Sequence, residues 1–320
     1  MLTRRRLLLS AAGLAALGAL PACGSDPASG VQPAARDDGF PVTVEHELGE
    51  TRLESAPQRV VCATDGGELC SLLALGVTPV GFGQRNDPLR PWVRELAEGI
   101  DSYDLSGGET SYERLAAWAP DLVLAQSGFA TDETLPRFTE IAPTVATSFI
   151  DWRDNLRQVA TAVGRTDRAD ELEQEADAAV ADAAAALPER ATGLRLRAIT
   201  AFSDGSVYQL NDASPLGKIA AAMGLPPLPA AQAAGQAVDV LSLEQLTVLD
   251  GDLLLLLVFG GDGDGTAALR ERSVFSALDV VRAGRVVEVS EDDAHALYFD
   301  SVLTVEPNAQ YLLRTLTAAA

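Results

Sequence analysis

Between Arg168 and Leu187 the chain runs for twenty residues without a glycine or proline, and Ala and Glu dominate the stretch. At about 1.5 Å per residue such a helix is roughly 30 Å long, the width of a small domain. Thr166-Asp167 caps its start and Pro188 stops it, because proline has no N–H to donate and clashes with the preceding turn. On both sides of this rod, short apolar runs alternate with helical stretches. Arg59–Thr64, Val77–Phe82, Asp121–Ala125 and Thr144–Phe149 read as strands before it, with helices at Glu68–Leu75 and 152–163. Leu194–Phe202, Asp252–Phe259 and Arg285–Ser290 read as strands after it, with helices at Pro215–Met223 and Val305–Ala319. Continuous apolar strands separated by helices indicate parallel sheets covered on both faces. Val42–His46 opens the fold as a strand in a hairpin through Gly49. The expectation is an α/β chain of two lobes, 40–165 and 191–320, joined by one long helix within 166–190.

The first 22 residues are of a different kind. Arg4-Arg5-Arg6 is followed by a nearly unbroken apolar run from Leu7, then by Leu20-Pro21-Ala22-Cys23. Leu7 to Ala22 is too short to span a bilayer comfortably, which takes about 20 residues, and it suits an export signal. The last four residues resemble a bacterial lipobox, in which Cys23 is lipidated and becomes the first residue of the mature chain. Thr3 to Leu8 resembles a twin-arginine signal. Residues 23–39 are small, polar and rich in Pro and Gly, as expected of a flexible tether between lipid and fold. The expected location is the outer face of the cytoplasmic membrane, held there by lipid.

Charge narrows the function. The chain carries 24 basic and 46 acidic residues, net −22, and loss of the three arginines in residues 1–22 makes this −25. Such a polyanion does not bind nucleic acid, whose affinity rests on Lys and Arg neutralising phosphates. No Gly-x-Ser-x-Gly elbow, His-Glu-x-x-His, phosphate loop or Cys-x-x-Cys is present, so no enzyme class is indicated. A bare-metal site needs clustered His and carboxylates, and the only histidines, His46 and His295, fall in opposite lobes. Asp262-Gly263-Asp264-Gly265 reads as an exposed turn, since no bidentate Glu follows at calcium-loop spacing. In an oxidising compartment Cys62 and Cys70 are a candidate disulfide pair; two buried thiols are the alternative.

Several segments together resemble the periplasmic-type binding proteins for ferric siderophores and cobalamin. They are Arg59-Val60-Val61, Leu69–Gly76 ("LCSLLALG") with Val77–Gly81, Tyr112–Ala125 ("YERLAAWAPDLVLA"), Ser242–Leu257 ("SLEQLTVLDGDLLLLL") and Val281–Val289 ("VRAGRVVEV"). The resemblance spans roughly residues 40–317 and implies two Rossmann-like lobes bridged by a single helix, the helical-backbone, class III binding-protein type. It implies a substrate-binding lipoprotein, a monomer without catalysis, that delivers cargo to an ABC importer. It also implies that Glu113 and Glu244, at matching helix starts in the two lobes, dock on permease arginines. Favourable placement of a carboxylate at a helix N-terminus explains them equally well.

Ligands of open α/β sheets bind outside the carboxyl ends of the strands. The loops there hold Asp65, Gln84, Arg85, Thr110 and Phe129 in the first lobe, with Trp152 after the strand Thr144–Phe149. Ser203-Asp204, Tyr208, Phe259-Gly260-Gly261 and His295–Tyr298 hold the corresponding places in the second. A ferric siderophore presents iron wrapped in oxygens, which suit the planar fork of Arg85, and an organic backbone, which suits the rings of Trp152, Phe129, Tyr208 and Tyr298. Few cationic candidates point to a neutral or cationic ferric hydroxamate. Iron would enter only as part of that ligand, with no cofactor resident in the protein. Haem, cobalamin and an adhesion or sensor role without an importer are the alternatives.

Overall fold

The computed structural model describes residues 39–86, 88–233, 236–259 and 265–320. The signal segment, Cys23, nearly all of the tether and the 260–264 stretch, with Gly260, Gly261 and most of the Asp262–Gly265 turn, lie outside the described residues.

Strands β1 (Val42–His46) and β2 (Gly49–Leu53) form the expected antiparallel hairpin. The first lobe's sheet holds β3 (Val60–Cys62), β4 (Gly81–Gln84), β5 (Ser102–Asp104), β6 (Leu122–Gln126) and β7 (Thr144–Thr147). Its order is β5-β4-β3-β6-β7 and every pairing is parallel. β4 starts four residues later than its apolar run, which opens at Val77. Pro79 has no N–H for a ladder, and pairing is established only once Val80 N–H donates to Val60 O at 2.8 Å. β5, three residues long, carries no apolar run and was not anticipated.

The second sheet holds β8 (Leu196–Ala201), β9 (Val207–Leu210), β10 (Val238–Leu241), β11 (Leu253–Leu257) and β12 (Val286–Val289), in the order β10-β9-β8-β11-β12. It departs from the expected all-parallel form. β8, β11 and β12 are parallel, whereas β9 runs antiparallel to both of its neighbours. The cause is a tight turn after β8. Asp204 Oδ1 accepts from Ser206 N–H at 2.8 Å, Phe202 N–H donates to Ser206 O, and Gly205 takes φ +86°, so the chain reverses as a hairpin.

The lobes are joined by the helix Thr166–Ala186, which begins two residues earlier than the rod read from the sequence. It buries Ala169, Leu172, Ala176, Val180 and Ala183, spaced three or four apart along one face. That face meets the C-terminal helix Val305–Ala319 and the helix Trp152–Val163. Arg157 of the latter pairs with Glu173 of the rod at 2.6 Å. Asp151 caps Trp152–Val163 by accepting from Arg153 and Asp154 N–H, and Gly164 ends it at φ +64°. One hydrophobic cluster runs from Leu69 and Leu156 through Leu172 and Val180 to Leu216, Leu255 and Leu316, so the two lobes share a continuous core beneath the rod.

Cys62 and Cys70 are buried, free thiols, and the candidate disulfide is not formed. Burial pushes both thiols up, Cys70 to about 11, so they stay protonated and pack as small apolar groups.

Candidate ligand cleft

A cavity of about 630 Å³ opens between the lobes at the carboxyl ends of the first sheet. β3 delivers Thr64, Asp65 and Gly66 to it, β4 delivers Arg85 and Asn86, β6 leads into Gln126–Phe129, and β7 leads into Phe149. Arg90 completes the first-lobe side, and Tyr298 and Phe299 of the second lobe face it.

A hydrogen-bonded chain builds the polar wall. Asp65 Oδ2 accepts from Asn86 N–H at 2.9 Å and from Asn86 Nδ2 at 3.0 Å. Asn86 Oδ1 then accepts from Arg90 Nη2 at 2.8 Å. The Arg90 guanidinium lies 5.2 Å from the Phe299 ring centre, and its buried Nε has no hydrogen-bond partner among the described residues. Burial holds Arg90 below the ordinary arginine value, although a guanidinium stays charged. Arg85 lies 5.7 Å from the Phe129 ring and has an exposed guanidinium.

Beneath the loop Thr64–Gly66 sits Glu68, fully buried at the start of the helix Gly67–Ala74. Its Oε1 accepts from Thr64 N–H at 3.0 Å and Thr64 Oγ1 at 2.6 Å, while its Oε2 has no partner among the described residues. Burial raises this carboxyl to about 7, against the two hydrogen bonds from Thr64. A methyl group at Gly66 would collide with the side-chain oxygens of Gln126, Glu68 and Thr64, so a larger residue there would displace the hydrogen bonds around the carboxyl.

The second-lobe wall is aromatic. Phe259 lies against Phe202 (6.3 Å), His295 (4.7 Å) and Tyr298 (5.4 Å), and Tyr298 against Phe299 (5.8 Å). Burial, helped by Arg90, lowers His295 to about 4 and keeps it neutral at physiological pH.

Of the residues read from the sequence, Asp65, Arg85, Phe129 and Tyr298 line this cavity; Gln84, Thr110, Tyr208 and Trp152 do not, nor do Ser203, Asp204, Phe259 and His295. Gln84 braces the wall from behind, donating to Asn86 O and accepting from Ser102 Oγ, both at 3.0 Å. Thr110 bonds to the Tyr103 hydroxyl. Tyr208 packs edge-on against Phe202 at 5.4 Å, one ring behind the wall. Trp152 is 7% exposed and lies under Arg153 at 4.3 Å, because the first turn of its helix faces the lobe junction. Phe149, 55% exposed, reaches the cavity from that segment instead. Arg90, Gln126, Phe149 and Phe299 were missed. The strand-end rule contained the signal for Phe149 and Gln126, and the Pro88/Pro91 bracket marked the loop of Arg90.

Glu113 is exposed in the first turn of the helix Tyr112–Ala117 of the first lobe. Glu244 is exposed in the 3₁₀ helix Leu243–Leu249 of the second, behind a capping box of Ser242 and Gln245.

The chain thus has two α/β lobes on one helix with a cleft at the strand ends. Residues 61–292 match the periplasmic binding protein family, and the chain belongs to it. It is similar to the probable siderophore-binding lipoprotein YfiY of Bacillus subtilis, 30% identical over 145 residues that span 44% of either chain. The alignment therefore covers less than half the length of that relative. It is similar also to the iron(3+)-hydroxamate-binding protein FhuD of Bacillus subtilis, 24% identical over 283 residues, 86% of either chain. A periplasmic solute binding protein from Mycobacterium smegmatis shares the fold, with TM-score 0.73 and 24% identity over 87% of this chain and 98% of that one.

Proposed function

We propose that this protein captures a ferric siderophore in the interlobe cleft and delivers it to an ABC importer, without catalysis and without a resident cofactor. The observation that carries the reading is the composition of the cleft. Arg85 and Arg90 present guanidiniums from one lobe, and Phe129, Phe149, Tyr298 and Phe299 present rings around them. Guanidiniums suit the oxygens that wrap iron, and rings suit the ligand's organic frame. Among the described residues the cavity wall holds two arginines against one carboxylate, Asp65, rather than a dense cationic lining. That balance favours a ferric hydroxamate over a highly anionic tris-catecholate, and the relative that binds iron(3+)-hydroxamate supports the same class.

In this reading the protein is a monomer exported by its N-terminal signal and anchored through lipid on Cys23 to the outer face of the cytoplasmic membrane. Glu113 and Glu244, exposed one on each lobe, engage the permease.

Tryptophan fluorescence of the purified protein, titrated with a ferric hydroxamate, a ferric catecholate, ferric citrate, haem and cobalamin, tests the ligand class. Saturable quenching by the ferric hydroxamate, absent with its iron-free form, is the expected result. Binding of haem or cobalamin alone overturns the siderophore reading, and silence across the panel points to an adhesion or sensor role.

A further inference from the structure

One ammonium joins the two walls of the cleft from outside it. Lys218, on the second-lobe helix Pro215–Ala222, donates to Asp151 Oδ2 at 3.1 Å, Asp300 Oδ2 at 3.2 Å and the Ile150 carbonyl at 3.3 Å. Asp151 and Ile150 belong to the segment that presents Phe149 to the cavity, and Asp300 directly follows Tyr298 and Phe299. Lys218 itself does not line that cavity.

The local geometry makes this contact directional. Asp151 divides its oxygens: Oδ1 caps the helix Trp152–Val163, and Oδ2 is left for Lys218. Asp300 also accepts from the backbone N–H of Trp152, so its carboxylate reaches across the lobe junction as well. The Asp300 side chain is only 10% exposed, against 36% for Asp151 and Lys218. A charge so placed is held in one position by its partners, since leaving it unpaired is costly. Phe149 and its neighbour Ile150 are 55% and 53% exposed, so few packing contacts fix that rim by themselves.

Building on the ferric-siderophore reading, we propose that Lys218 is a positioning residue for ligand. By tying Ile150-Asp151 to Asp300 it sets the gap between Phe149 and the Tyr298–Phe299 wall, and so the size of ferric complex that the cleft accepts. A residue that only stabilised the fold would weaken all ligands in proportion. A spacer changes their ratio.

The test uses the full protein and the double variant Lys218→Met/Asp300→Asn, which keeps both side-chain volumes and leaves no buried carboxylate unpaired at position 300. Lys218→Arg serves as the conservative variant. Affinities are measured for a compact cyclic and a bulkier linear ferric hydroxamate, and hydrogen exchange is followed at 148–151 and 298–301. The expected result is a change of about tenfold or more in the affinity ratio, in favour of the bulkier complex. Faster exchange in those two segments accompanies it, and Lys218→Arg restores the ratio. Equal weakening of both complexes, or an unchanged ratio with unchanged exchange, overturns the proposal. If the wild type binds neither ferric complex, the ligand reading fails and exchange judges the spacer: acceleration confined to the two segments upholds it, and none overturns it.

Discussion

Replacing Glu68 by Gln will remove a loss of stability that the protein suffers as pH rises. The carboxyl ionises near 4.5 in an unfolded chain and at about 7 in the fold, chiefly because burial disfavours the charged form. Between those values the native state holds a proton that the unfolded state has lost, so native stability falls as pH rises through the interval. A shift of this size corresponds to about 3 kcal/mol, fully expressed above pH 7 and absent below about pH 4.5. The amide of Gln is neutral throughout, and its Oε1 can still accept from Thr64 N–H and Oγ1. The charged neighbours of the site, Asp65 above all, are the same in both proteins, as are the protonated thiols of Cys62 and Cys70 and the hydroxyl of Tyr103. Subtracting the two denaturant-unfolding free energies at each pH from 4.5 to 8.5 therefore isolates Glu68. The difference is expected to move by about 3 kcal/mol in favour of Glu68→Gln from the acid to the alkaline end, above a constant offset from the amide N–H groups that take the place of Oε2. A difference that does not vary with pH refutes the reasoning, because the carboxyl would then titrate alike in both states.

Three further outcomes are expected. Arg90→Ala should lower affinity for a ferric hydroxamate by about tenfold to a hundredfold by calorimetry, because charge-assisted hydrogen bonds contribute roughly 1.5–3 kcal/mol. Arg90→Lys should recover only part of this, since an ammonium cannot reproduce the planar fork over Phe299. Glu113→Lys and Glu244→Lys should leave that affinity unchanged and abolish ligand uptake by cells, as both side chains are exposed and neither lines the cleft. Cys62 and Cys70 should resist an aromatic disulfide reagent in the native protein and react together in denaturant, since both are buried with raised thiol values.

The elements most legible in the sequence are those whose ends carry chemical punctuation. The helix Trp152–Val163 lies between its Asp151 cap and Gly164, and the rod ends just before Pro188, so neither boundary depended on tertiary context. The strands β9 and β10 were hidden because each mixes polar and apolar residues: Gln209 and Asp239 are buried within the sheet. Asp239 is accommodated there by Asn211 Nδ2 at 3.1 Å and Gln232 N–H at 2.9 Å, partners that only the folded chain brings close. The same limit applies at the cleft. The rule of strand ends located its loops, but whether Phe149 or Trp152 turns inward depends on the phase at which the helix begins, and that phase is set by the Asp151 cap. The Pro88/Pro91 bracket marked the loop of Arg90, but not that its side chain enters the cleft. Its place is fixed by the relay from Asp65 through Asn86, three side chains whose contacts no periodicity encodes.

Among the described residues the charged groups of the cavity all stand on one lobe, whereas its rings come from both. Arg85, Arg90 and Asp65 share the first lobe with Phe129 and Phe149, and Tyr298 and Phe299 face them from the second, backed by Phe259 and Phe202. Charge acts over a screening length of about 8 Å at physiological salt, whereas ring packing acts only at contact. Under the proposed function, a neutral or cationic hydroxamate complex gains little from the distant pull of the two guanidiniums. It is held at contact, by rings that close on its organic surface from both lobes.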